Sequence, residues 1–228
     1  QGYYDDQVDN YKQDHSQLHI EHRLSNSSRI SLGLNYTHGR GYYEEFYDLW
    51  YDQNVSFSGD TSYSYLKLPL LSINGQAITE TENVVRKWLD NDFYVANLLY
   101  HYQKESHNLS AGVYYSAYNG AHFGELLWAS TTNINPKHRF YENHGKKKDG
   151  NIFAKWDVSL NDNWKLYADA QVRWIDYVVF GEVAGPEVIT VNDAHTFFNP
   201  KAGVVYKPNA AHQFYASYAK AHKEPNRT

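Results

Sequence analysis

The chain offers little that could do covalent chemistry. It carries 12 His, with Ser, Asp and Glu scattered among them. His19 with His22, and His122 with Glu125, have a three-residue spacing that would bring two ligands together on a helix. Both pairs lie in stretches that read as strand or loop, where that spacing sends side chains to opposite faces. Metal coordination is therefore not expected. Ser, His and Asp all occur, but there is no G-x-S-x-G elbow to expose a nucleophile and no Gly-rich loop to cradle a phosphate. Glu44-Glu45 and Asp5-Asp6 read as exposed pairs without a partner pattern. No catalytic residue and no cofactor is assigned, and the chain is not expected to be an enzyme. The absence of Cys excludes disulfide frameworks and thiolate zinc sites. What the sequence does supply is rings: 22 Tyr, 6 Trp and 10 Phe, 17% aromatic. Tyr42, Tyr43, Trp50, Tyr51, His122 and Trp128 fall in stretches that read as loops and strand tops, where recognition residues concentrate. They are the candidate ligand contacts. Stacking would serve a haem, a catecholate or a sugar alike, so they do not name the ligand.

The elements that must hold such residues are strands. Asn151 to Ile175 shows this most clearly. Ile152, Ala154, Trp156 and Val158 alternate with Phe153, Lys155, Asp157 and Ser159; after Asn161-Asp162-Asn163, Leu166, Ala168, Ala170 and Val172 alternate with Tyr167, Asp169, Gln171 and Arg173. Strict alternation means two long strands, each with an apolar and a polar face, and the Asn-Asp-Asn turn makes them a hairpin. Strands in globular proteins usually run about 5–6 residues; these run longer, with charge along one face. A wall between lipid and water has this pattern. Ile152, Ala154, Trp156, Val158, Leu166, Ala168, Ala170 and Val172 are expected to face lipid. Lys155, Asp157, Asp169, Gln171 and Arg173 are expected to face the lumen.

The rest of the chain repeats the pattern. Alternation recurs in Tyr11–Leu24, Arg29–Tyr47, Asp92–Lys104, Leu109–Ala117, Phe197–Lys207 and Gln213–Ala221, giving eight strands in all. Short turns fall near 25–28, 105–108, 161–163 and 208–211, and long connections near 48–91, 118–150 (with the basic run Lys146-Lys147-Lys148) and 178–196. Alternating short and long connections match the periplasmic turns and extracellular loops of bacterial outer-membrane barrels. No stretch approaches the roughly 18–20 apolar residues of a membrane helix, and mean hydropathy is -0.72. A net charge of -5 argues against a nucleic-acid partner. The sequence starts at Gln1 without a signal sequence and breaks off at Thr228 after a strand pattern. It reads as a piece of a longer mature protein, residues 1–228 forming part of one β-barrel domain without a plug.

Two late segments carry a resemblance. FYASYAKAHKEPNR (Phe214 to Arg227) and FFNPKAGVVYKPN (Phe197 to Asn209) resemble neighbouring strands near the end of TonB-dependent outer-membrane receptors. GYYEEFYDLWY (Gly41 to Tyr51), RKWLDNDFY (Arg86 to Tyr94) and YNGAHFGELLWA (Tyr118 to Ala129) look like segments of receptors of the Bacteroidetes type. The resemblance implies about eight strands of a barrel of roughly 22, with a plug domain in its lumen. It also implies import of a scarce ligand (an iron-siderophore, haem, cobalamin or a glycan) across the bacterial outer membrane. The partners it implies are outer-membrane lipid, the remaining strands and plug, and a TonB–ExbB–ExbD complex acting through an N-terminal part that this chain lacks, TonB box included. The residues alone leave two other readings open: a self-contained eight-stranded outer-membrane barrel with a structural or adhesive role, and a secreted soluble glycan-binding β protein.

Overall fold

The computed structural model describes residues 7–47, 65–69, 71–131, 135, 137–184 and 187–224. Ten strands lie within them: β1 (Asp9–Arg23), β2 (Ser28–Tyr47), β3 (Leu71–Ile73), β4 (Gln76–Ile78), β5 (Asn83–Lys104), β6 (His107–Ala129), β7 (His138–Ser159), β8 (Trp164–Glu182), β9 (Val188–Asn209) and β10 (His212–Ala219). Eight form one antiparallel sheet in the order β1-β2-β5-β6-β7-β8-β9-β10, and β3 pairs with β4 as a separate hairpin. The sheet is an open meander. β1 and β10 are its edges, and the sheet does not close on itself.

The expected short turns are present, held by local side-chain chemistry. Asn161 Oδ1 accepts from the backbone N–H of Asn163 and Trp164 at 3.0 and 2.9 Å. Asn209 Oδ1 does the same for Ala211 and His212, both at 3.0 Å. These are Asx turns. Pro200 lies inside β9, opposite Ala170 of β8. Its carbonyl accepts from Lys220 N just past the paired part of β10. A residue's N–H and C=O point the same way along a strand, so the missing donor falls at the end of that ladder, as expected for Pro.

The long connections differ from expectation. Residues 83–91 belong to β5, 118–129 to β6, 138–150 to β7, 178–182 to β8 and 188–196 to β9. The connections shrink to 48–82, 130–137 and 183–187. These stretches lack a clean alternation because apolar and polar residues occur on both their faces, yet their ladders are continuous: β2 pairs with β5 through Tyr47↔Asn83, and β8 with β9 through Glu182↔Val188. Hydrogen bonding, which leaves no periodic trace in the sequence, carries the strands on.

Register brings the alternations of all the strands onto common faces. Leu32, Leu98, Val113, Ile152, Val172 and Phe198 form one cross-strand row, and Ile30, Tyr100, Ala111, Ala154, Ala170 and Pro200 the next. This is the band face. Aromatic residues edge its aliphatic centre. Towards the short turns these include Trp164 stacked on Tyr206 (4.3 Å) and Trp156 on His107 (5.8 Å); on the other edge Tyr36 stacks on Tyr94 (4.9 Å). Among the described residues no other element packs on the aliphatic centre of this face; Leu18, Leu98, Ile152, Trp156, Phe198 and Tyr218 are among its exposed side chains. The small buried core lies elsewhere, at the end of the sheet away from the short turns. There Leu66 and Leu68 pack with Val85, Leu126, Ala129 and Phe140. Two bulges shape that end: Leu127 is the extra residue between Leu126 and Trp128, and Phe140 the extra residue between Arg139 and Tyr141.

Candidate functional site

On the face opposite the band, side chains of three strands converge at the end with the long connections. Tyr43, Glu45 and Tyr47 of β2 stand on the same face as Lys87 of β5, which is opposite Tyr43 in register. Lys87 Nζ lies 2.8 Å from Glu45 Oε2 and donates to Tyr47 Oη at 2.8 Å. Tyr47 donates to Glu45 Oε2 at 2.6 Å. The same ammonium sits 5.3 Å from the Tyr43 ring centroid and 5.4 Å from that of Tyr47. Burial acts to lower the Lys87 pKa, but the bonds to Glu45 and Tyr47 outweigh it and hold the ammonium well above the usual lysine range. Burial also acts to raise the Glu45 pKa, and the bonds from Lys87 and Tyr47 overcome it and bring the carboxyl below its ordinary value. Tyr141 of β7 is pushed up to about 12 by burial, with Tyr43 adding to the shift. The result is a fixed zwitterion walled by tyrosine rings. His122, opposite Leu89 and Asn143, lies on this face as well.

Nearer the short turns the same face carries Lys155, Asp157, Asp169, Gln171 and Arg173. Lys155 Nζ is 3.2 Å from Asp157 Oδ2, and Lys155 stands opposite Asp169. Gln171 accepts from Asn199 Nδ2 at 3.2 Å. Arg173 makes a two-pronged bond to Asp149, Nε to Oδ1 at 3.0 Å. Glu224, beyond β10, reaches back over this face to Lys147 at 2.8 Å and towards Arg173 at 3.8 Å.

The candidate ligand contacts are split. Tyr43 and His122 share the face of Lys87. Tyr42 and Trp128 lie on the band face, Tyr42 opposite Trp88 and Trp128 opposite Val84. Trp50 and Tyr51 lie outside the described residues. His122 and Trp128 stand in β6, not in a loop. Glu44 and Glu45 are also unlike the expectation of exposed carboxylates without partners. Glu44 Oε2 accepts from Arg86 Nε at 2.6 Å, its side chain only 6% exposed, and Glu45 pairs with Lys87. The acidic pair meets a basic pair across a register hidden inside a stretch that reads as loop. Around Glu44 the band face carries an unanticipated set of rings and guanidiniums. Tyr42 contacts Trp88 (4.6 Å) and Trp88 stacks on Phe123 (5.8 Å). Arg86 lies 4.3 Å from the Tyr42 ring and Arg139 4.1 Å from that of Phe123. Trp88 Nε1 donates to Glu125 at 2.9 Å. Arg86, Lys87 and Trp88 could have been found from RKW against GYYEE, two runs of opposite charge that pair residue for residue. Among the described residues no three His, Asp or Glu converge as a metal site would require.

A meander of long antiparallel strands, apolar on one uncovered face and charged on the other, defines the wall of a membrane β-barrel. The family model for the TonB dependent receptor-like β-barrel matches residues 1–228, and the chain belongs to that family. Its fold is similar to that of the ferric-catecholate import receptor Fiu from E. coli K12, with TM-score 0.62 and 14% identity over 98% of this chain. The ferric preacinetobactin receptor BauA from Acinetobacter baumannii gives 0.54 and 11% over 91%, and the ferric yersiniabactin uptake receptor FyuA from Yersinia pestis 0.51 and 8% over 91%. The chain spans only 37%, 30% and 27% of those three proteins. A sequence comparison with curated proteins gives no match.

Proposed function

We propose that this chain is a stretch of the transmembrane wall of an outer-membrane importer that takes up a scarce small ligand, an iron-siderophore, haem, cobalamin or a glycan. The rest of the barrel, a plug and a TonB–ExbB–ExbD complex would complete it. The observation that carries the reading is the band. Tyr94 to Tyr102 on β5, Leu109 to Ala117 on β6 and Trp164 to Trp174 on β8 each match the roughly 9–11 tilted residues that cross a bilayer. In this reading Ile152, Ala154, Trp156, Val158, Leu166, Ala168, Ala170 and Val172 face lipid. Lys155, Asp157, Asp169, Gln171 and Arg173 line the lumen, and the far end stands outside the cell. Tyr43 and His122, joined by Lys87, Tyr47 and Tyr141, are the ligand-side residues; Tyr42 and Trp128 belong to the outer surface. Among the described residues no helix is long and apolar enough to cross a membrane, which says nothing about crossing by strands.

The test is a pair of variants in the full receptor. A charge on the lipid face near mid-membrane costs about 2–4 kcal/mol, so Ala168→Arg lowers the yield of assembled receptor in the outer membrane. Asp169→Arg, one residue on and facing the other way, leaves it near wild type. Equal yields for the two would remove the facing assignment.

A further inference from the structure

Strand β7 runs through Lys146, Lys147 and Lys148 in succession. Alternation sends the outer two to the band face and the middle one to the other. Lys147 is occupied by Glu224. Lys146 and Lys148 are exposed, and among the described residues neither forms an ion pair with a carboxylate. The nearest charges on that face are few, and Asp92 of β5, two strands away in the cross-strand row of Lys146, is already bonded by Tyr36 at 2.7 Å and His38 at 3.1 Å. Asp176 stands opposite Lys148 in register. Further out, Glu142 is engaged by Arg139 at 2.7 Å and approached by His144 at 3.6 Å. Lys146 Nζ lies 5.6 Å from the Phe180 ring, on which His144 also stacks at 5.4 Å.

The position of these two ammoniums is the informative part. One step towards the short turns, Gly150 lies under the Trp174 indole, so close that a Cβ there would meet the ring at 2.4 Å. The next step is Ile152 opposite Val172, in the aliphatic centre of the band. Lys148 therefore stands about 5 Å beyond an aromatic edge residue, given the rise and tilt of a barrel strand. Indole rings prefer the boundary between hydrocarbon and head groups. A lysine just beyond can lay its stem on apolar surface while its ammonium reaches the polar layer.

We propose that Lys146 and Lys148 form a contact site for a phosphate-bearing lipid head group of the leaflet bordering the far end of the wall. Two ammoniums without an ion-pair partner among the described residues, with Asp176 the one carboxylate directly opposite either of them, supply the complementary charge, and continuity with the apolar band supplies room for the acyl chains. The inference rests on the reading of the band as lipid-facing.

The test uses full-length receptor in micelles doped with phosphatidic acid or with phosphatidylcholine, and native mass spectrometry to count retained lipid. Wild type retains the acidic lipid preferentially. The Lys146→Gln, Lys148→Gln double variant loses that preference by about fivefold per lysine, the worth of one basic residue at an anionic surface. Lys147→Gln keeps it. Heat-modifiable migration establishes that each variant is an assembled barrel. Full retention by the double variant, or an equal loss in Lys147→Gln, overturns the proposal. Binding of inorganic phosphate alone through the same two lysines would mark a free-anion site and overturn the lipid assignment. Equal assembly of Ala168→Arg and Asp169→Arg would remove the lipid-facing premise itself. With that contrast intact, retention by the double variant removes this inference alone.

Discussion

At Lys87 burial and pairing oppose each other, and pairing wins. Its side chain is only 18% exposed, so the ammonium depends on Glu45 and Tyr47 for what water no longer supplies. Lys87→Met leaves the Glu45 carboxylate with the Tyr47 hydroxyl alone. A charge-assisted bond of this kind is worth about 1.5–3 kcal/mol when sheltered, less with partial solvent screening. A fall of about 1–2 kcal/mol in the stability of this end is expected, read as a lower melting temperature of the full receptor in detergent. An unchanged melting temperature would show that the pair contributes nothing net. The same triad sets an acid response. The Glu45 carboxyl lies below its ordinary value of 4.5 in the folded protein. Its contribution is therefore fully present above that value and is lost as pH falls through the lower, folded one. Glu45→Gln should flatten the drop in melting temperature between about pH 5 and pH 3 that wild type shows. A drop as steep as in wild type would place the acid-sensitive group elsewhere. On the band face, Glu44 and Arg86 invite a double-mutant cycle with Gln at each position. A coupling of about 1–2 kcal/mol is expected, within the range for contacting charged residues; a value near zero would mean that the ring contacts of Arg86 alone hold it.

At the scale of elements, the sequence is most legible where a strand has two different environments. The alternation of Ile152 to Val172 reports the hairpin, its turn and the side to which each residue points, and the structure's register agrees. Legibility ends where each face mixes apolar and polar residues. Arg86-Lys87-Trp88 and Tyr118 to Ala129 carry no two-residue period, so they read as loops although they are β5 and β6. The partition of Trp128 from His122 was hidden with them, because the Leu127 bulge shifts the faces between the two, whereas alternation alone separates Tyr42 from Tyr43. Cross-strand chemistry was the clue available: Glu44-Glu45 against Arg86-Lys87. Cross-strand packing also predicts where size is limited. The Trp174 indole occupies the space that any side chain at position 150 would need, so Gly150→Val must displace it. The expected outcome is a clear fall in assembled receptor, partly restored by Trp174→Ala in the same chain. A Gly150→Val receptor that assembles normally would show that Trp174 has another resting place.

At the scale of the molecule, the sheet formed by the described residues ends in two unpaired edges. β1 and β10 are exposed along their whole lengths. In hydrocarbon each unsatisfied backbone group costs several kcal/mol, so this segment is stable in a bilayer only with partner strands on both sides. Expressed alone and refolded into micelles, residues 1–228 should give no heat-resistant, compact species; the full receptor should. A compact, heat-modifiable monomer from the segment alone would mean that β1 and β10 can meet and that eight strands suffice.

The strands that continue past the band have a thermodynamic consequence. A strand of 22 residues such as β5, tilted at about 45°, rises roughly 50 Å, whereas the hydrocarbon layer is about 30 Å thick. Much of what lies around Lys87, Tyr43 and His122 is therefore ladder, already ordered before any guest arrives. Fixing a residue's backbone costs roughly 1–2 kcal/mol, and a rim built from strands has met that cost during folding. A ligand taken up as proposed above would meet a rim whose shape the ladder has already set. Selectivity would then reside in the fixed shape of the mouth.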